Sequence, residues 1–140
     1  MSSPHFRVDS FALHPLHAVL SAFPVPLFLG ALLSDIGYTR SYQVQWINFS
    51  SWLIAGGLVL AGIALLWAAL AMVRARRGRP TLYFLLLLAA WVVGFVNALT
   101  HARDAWATMP AGLVLSAIVA LLAIVANAVA YAAACKEGVK

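Results

Sequence analysis

The sequence predicts an all-α protein, a four-transmembrane-helix bundle embedded in a bilayer. Three observations predict it. The 140 residues are 64% hydrophobic and 9% charged, with a mean hydropathy of +0.95, whereas a soluble domain is roughly 45–50% apolar and about 25% charged. Four apolar runs each approach the roughly 20 residues that a helix needs to cross about 30 Å of hydrocarbon. Within each run, small or polar residues recur in steps of three and four, the period of one helix face. The expectation is a single membrane domain over 1–140, with helices at approximately 15–36, 52–73, 81–101 and 111–135.

Met1 to Ser10 is short and polar, without the apolar core of a cleaved leader, so the first span is expected to stay in the mature protein. That span opens with Pro15 as a first-turn proline. His14, His17, Ser21, Pro24, Phe28, Ala31 and Asp35 fall on one stripe of it. Polar side chains in a membrane turn toward a bundle interior, so this stripe is the expected packing face. Pro24 and Pro26 each lack an N–H, which frees the carbonyls of Leu20 and Ala22 and predicts a bend near mid-membrane.

Gly37 to Ser51 reads as a polar and aromatic connection in the headgroup layer, with Tyr38, Tyr42, Trp46 and Phe49. The second span carries no charge, and Gly57, Ala61, Ala64, Ala68 and Ala71 form a small-residue stripe that admits a neighbouring backbone. Pro80 opens the third span, where Ala90, Gly94, Asn97, His101 and Asp104 collect on one face, with His101 and Asp104 close enough to touch. After Met109-Pro110 the fourth span repeats the small spacing at Gly112, Ser116, Ala120, Ala123, Asn127 and Ala130. These stripes predict a homo-oligomer built through small-residue faces.

Charge placement orients the chain. A net charge of +5 raises nucleic acid as a partner, but Arg74, Arg76, Arg77 and Arg79 sit between two apolar spans, where they anchor a loop to anionic lipid. No nucleic-acid partner is expected. Arg7, that loop, Lys136 and Lys140 share one side, and only Arg40 and Arg103 lie on the other. The positive-inside rule then puts both termini in the cytoplasm, as for a bacterial inner-membrane protein.

The motifs His14-Pro15-Leu16-His17 with Phe23-Pro24, Ser34-Asp35-Ile36-Gly37-Tyr38, Phe49-Ser50-Ser51-Trp52-Leu53, and Asn97-Ala98-Leu99-Thr100-His101-Ala102-Arg103-Asp104-Ala105-Trp106 occur in that order. Over about residues 11 to 130 the chain resembles the bacterial four-helix membrane family called domain of unknown function 2231. Some members are fused to Rieske-type iron–sulfur domains, so the resemblance implies a place near electron transfer and a redox partner protein. Members often carry Gly-x-x-Asp late in the second helix and a His in the first turn of the third. This chain reads Leu66-Trp67-Ala68-Ala69 and Thr81 to Phe84 there.

Orientation divides the candidate site residues into two groups. His14, His17, Ser21, Asn127, Tyr131 and Cys135 belong to the cytoplasmic end. One reading there is a haem b site through His17 or His14, with Ser21, Asn127 and Tyr131 around it, in a homodimer or with Tyr131 as second ligand. Another is a metal-binding or transport unit, with a metal site of His14, His17 and Cys135, because imidazole and thiolate suit zinc or copper. A third has both histidines in structural roles without a cofactor. Asp35, Asn97, His101, Arg103 and Asp104 form the outer-face polar cluster, where a carboxylate-oriented imidazole or a helix terminus would each account for the residues. Catalysis finds no nucleophile with a base at a recognisable spacing, no phosphate loop and no paired acids, so an enzyme is not the expected class.

Overall fold

A computed structural model describes residues 15–74 and 81–138, and their side chains except at 15–18, 74, 134 and 136–138. The described residues are helical almost throughout: α1 (Pro15–Ala22), α2 (Pro24–Ser41), α3 (Val44–Arg74), α4 (Thr81–His101), the short α5 (Ala105–Thr108) and α6 (Ala111–Gly138). Four stretches are long and apolar enough to cross a membrane: Val19–Ser41, Val44–Val73, Thr81–His101 and Ala111–Ala133. They close into a ring in which α2 packs on α3 and α6, and α4 packs on the same two helices. α1 lies against α3.

The first span runs on from Val19 to Ser41, with a break in its hydrogen-bond ladder at Phe23, beside the prolines where a bend was expected. Phe23 keeps helical dihedrals (φ −61°, ψ −34°) and its N–H still reaches the Val19 carbonyl at 3.2 Å. The interruption follows from the missing donors of Pro24 and Pro26, not from a change of backbone region. A correction concerns residues 37 to 51, expected as a headgroup connection. α2 runs on to Ser41 and α3 begins at Val44, so the connection is Tyr42 and Gln43 alone. Tyr42 closes α2 in the left-handed region (φ 53°), with its N–H on the Tyr38 carbonyl at 2.7 Å. The polar residues that suggested a loop satisfy themselves within helices: Ser41 Oγ donates to the Gly37 carbonyl and Ser51 Oγ to that of Ile47.

Each helix buries one stripe. On α3 it is Ile47, Ser50, Ile54, Gly57, Ala61, Ala64, Ala68 and Ala71, a strict three–four alternation. On α4 it is Tyr83, Leu87, Ala90, Gly94, Asn97 and His101. That alternation averages 3.5 residues, the period that keeps a seam facing its partner helix. Small residues on the seam let helices approach closely in a bilayer, where packing and not water exclusion drives association. Ala61, Ala64 and Ala68 are wholly enclosed, as are Ala120 and Ala123 to within a few per cent. Packing within one chain therefore occupies these small-residue faces.

Phe28 fills the centre of the ring. A Cβ at Gly57 would stand 2.7 Å from Cε1 of its ring, so only glycine leaves room there. A Cβ at Gly94 would meet Phe28 Cζ and Val119 Cγ1, each at 3.7 Å. Phe28 belongs to one buried cluster with Ala61, Ala64, Leu87, Val119 and Ala123 from the other three spans.

Candidate functional site

On the other side of Phe28, toward the end that carries the 42–43 turn and α5, all four spans contribute polar side chains to one enclosed network. Asp35 comes from α2, Ser50 from α3, Asn97 and His101 from α4, and Ser116 from α6; Asp35 is 0% exposed and His101 5%. Periodicity puts them there. Asp35 follows Phe28 and Ala31 on the buried stripe of α2, and Ser116 stands one turn into α6 on the face of Ala120 and Ala123.

The connectivity is specific. His101 Nε2 lies 2.9 Å from Asp35 Oδ1 and 3.2 Å from Ser50 Oγ, while His101 Nδ1 lies 3.0 Å from the Asn97 carbonyl. Ser116 Oγ donates to Asp35 Oδ2 at 2.5 Å and accepts from Asn97 Nδ2 at 2.8 Å. Ser50 Oγ also donates to the Ala31 carbonyl at 3.3 Å, which ties α3 to α2.

Donor and acceptor inventories give this network a direction. A carbonyl only accepts, so His101 Nδ1 bears a hydrogen and donates to Asn97. An amide nitrogen only donates, so the hydroxyl hydrogen of Ser116 is turned to Asp35 Oδ2, which accepts it. One proton then lies between His101 Nε2 and Asp35 Oδ1, on the ring or on the carboxyl. With that proton the pair is neutral as a whole, the condition under which ionisable groups are tolerated among lipid-embedded helices. Without it, a carboxylate oxygen and a ring lone pair would face each other at 2.9 Å.

Packing sets the ring's position as firmly as hydrogen bonding does. A Cβ at Gly112 would stand 2.8 Å from His101 Cε1 and 2.7 Å from Thr108 Cγ2, so a side chain at this point of α6 would displace the imidazole. Thr108, fully enclosed, closes the end of the site by donating to the carbonyls of Thr100 and Asp104 at 3.4 and 3.2 Å. Outside it, the rings of Tyr42 and Trp106 stack with centroids 6.3 Å apart, linking the two connections at this end.

The residue types of a serine nucleophile triad occur together here, but not its wiring. In such a triad the serine and the carboxylate address opposite ring nitrogens. Here Ser50 and Asp35 both address Nε2, and Nδ1 is held by main chain. Ser50 therefore has no base positioned to deprotonate it against a substrate.

Of the expected outer-face cluster, the structure brings together Asp35, Asn97 and His101. Arg103 and Asp104 are exposed, and the expected contact of His101 with Asp104 is replaced by one with Asp35. α4 stops at His101, so the helical spacing that would have carried Asp104 onto the same face ends before it does. Asp104 instead precedes α5, its carbonyl accepting from Ala107 N–H at 2.8 Å. Ser50 and Ser116 were missed as members of the site. Ser116 lay on a stripe read as packing, and Ser50 fell in the supposed headgroup connection.

At the opposite end His14 lies outside the described residues and so does the side chain of His17, and with them the haem and metal ligand sets. Ser21 faces the buried Tyr83. Tyr83 and His101 are eighteen positions apart on α4, about 27 Å at 1.5 Å per residue, so the two polar ends are separate. Asn127 is half-buried, Cys135 exposed, and Tyr131 73% exposed on the outside of the ring. Among the described residues no group of three or more His, Cys, Asp or Glu is placed to hold a metal ion.

An all-helical membrane protein of four spans, with a buried carboxylate–imidazole pair at one end, is the class that fold and site define. Residues 13–139 match the family described as predicted membrane protein, DUF2231, and the chain belongs to that family. No curated protein and no solved structure matches it.

Proposed function

We propose that the chain is a small membrane module, not an enzyme, whose working element is the Asp35–His101 pair holding one exchangeable proton at a single membrane face. One observation carries this reading: a carboxylate with no exposed surface lies 2.9 Å from an imidazole inside a membrane-spanning ring, with hydrogen-bonding partners from every span. Ionisable groups at such depth are costly, so they mark proton or ion sites more often than they serve packing. The distribution of seven basic residues against two supports an orientation in which this end faces outward from a bacterial inner membrane, with both termini cytoplasmic.

Infrared difference spectra of the reconstituted protein test the reading. Changing the pH should produce a reversible protonated-carboxyl band that is lost in Asp35→Asn. A spectrum in which no such band depends on Asp35, over a pH range that leaves the helical circular dichroism unchanged, would leave the pair a mere fastener of helices.

The redox reading, haem b held through His17 or His14 between two copies of the chain beside a redox partner, concerns the other end. Two observations bear on it. Both ring nitrogens of His101 are engaged, which leaves the ligand role to the amino-terminal histidines. Tyr131 points out of the ring, which favours a ligand from a second copy over one from the same chain. A visible spectrum of purified protein before and after dithionite decides it: a Soret band lost in His17→Ala or His14→Ala supports haem, and a colourless protein rejects it. Elemental analysis decides the metal set of His14, His17 and Cys135.

A further inference from the structure

The Asn97 carboxamide is fully enclosed, and its Oδ1 has no hydrogen-bond partner among the described residues. Its nitrogen is committed, because Nδ2 donates to Ser116 Oγ at 2.8 Å. Turning the amide over does not rescue the oxygen. The single hydroxyl hydrogen of Ser116 is given to Asp35 Oδ2, so Ser116 presents Asn97 with a lone pair, which only the amide nitrogen can meet. Oδ1 is thus a buried acceptor held in place by the polarity of the chain Asn97 to Ser116 to Asp35.

An amide oxygen in a lipid-embedded interior without a donor is strongly disfavoured. Asn97 shares its enclosure with the Ser116 hydroxyl and the Asp35 carboxylate, further polar groups of the same network. Buried waters occupy polar niches of this kind, where otherwise unmet groups give them two to four partners.

We infer that Asn97 Oδ1 binds an internal water molecule, which makes the Asp35–His101 network a hydrated site and not a dry clasp. The ligand class is a neutral hydrogen-bond donor of water's size. The inference goes beyond the proton reading and requires only that Asp35 Oδ2 accept from Ser116, as it does with the shared proton on the Oδ1 side.

Water-to-protein cross-relaxation in nitrogen-15-labelled protein, reconstituted in nanodiscs at one pH, tests this. The Asn97 side-chain amide pair, identified by its loss in Asn97→Leu, should show the negative cross-relaxation of a water held for longer than the tumbling time. The exposed Gln43 amide supplies the fast-exchanging comparison. An Asn97 amide pair without a long-lived water signal overturns the inference on the wild-type protein alone, however Asn97→Leu behaves. The infrared titration of Asp35 is read separately, so either result can fail while the other stands.

Discussion

The two halves of the bundle, divided at Phe28, are held by different physics. Toward the 42–43 turn, Asp35, Ser50, Asn97, His101 and Ser116 join all four spans by hydrogen bonds of defined direction. On the other side Ala61, Ala64, Ala68, Leu87, Ala123 and Ala126 offer no side-chain polar atom and the helices meet because these side chains are short, the buried Tyr83 hydroxyl that Ser21 faces lying at the far end. Dispersion contacts fall off with any gap and collide with any excess, so the dry half tolerates neither larger nor smaller residues. The polar half tolerates changes of size poorly and changes of partner hardly at all, because a severed partner stays behind in hydrocarbon.

The polar half is most sensitive at the pair itself. Asp35→Ala should cost about 3–5 kcal/mol, the range for stranding a buried charge, measured by unfolding in mixed micelles. The double variant Asp35→Leu with His101→Leu should regain most of that loss. A double variant no better than the single would show that the loss comes from the missing pair itself and not from the imidazole left behind. In the dry half, Gly57→Ala drives a methyl into the Phe28 ring and should cost about 1–3 kcal/mol, while leaving the infrared signature of Asp35 in place. Gly112→Ala should cost a similar amount but also alter that signature, since the added methyl meets the His101 ring. If both glycine variants leave it unchanged, the two halves are less distinct than the hydrogen bonds imply.

Smaller effects sharpen the boundary. Ser116→Ala removes the bridge between Asn97 and Asp35 and should cost about 0.6–1.7 kcal/mol, the span measured for interhelical hydrogen bonds in membranes. Arg103→Ala and Asp104→Ala, both at exposed positions, should each stay within about 0.5 kcal/mol of the parent.

This contrast also explains what could be read from residues alone. The number of spans, the buried stripes of α3 and α4, and the inward turn of Asp35 follow from period and composition, because every helix in a bilayer obeys the same geometry. Partners across the ring do not follow. Local spacing, the only proximity a single chain displays, sets His101 beside Asp104 three positions on; its actual partner lies 66 positions away and depends on how α2, α4 and α6 close. Helix ends misled for a related reason: hydroxyls such as those of Ser41 and Ser51 bond the carbonyl four residues back, so polar residues that resemble loop continue a helix. Ser50, on the same face as Ile47 and Ile54, was recoverable had α3 been begun at Val44.

The phenylalanine at the middle also partitions the interior chemically. Its ring takes the space that a Cβ at Gly57 would need, so the carboxylate and the imidazole lie on one side of an aromatic plug and the alanine-lined core on the other.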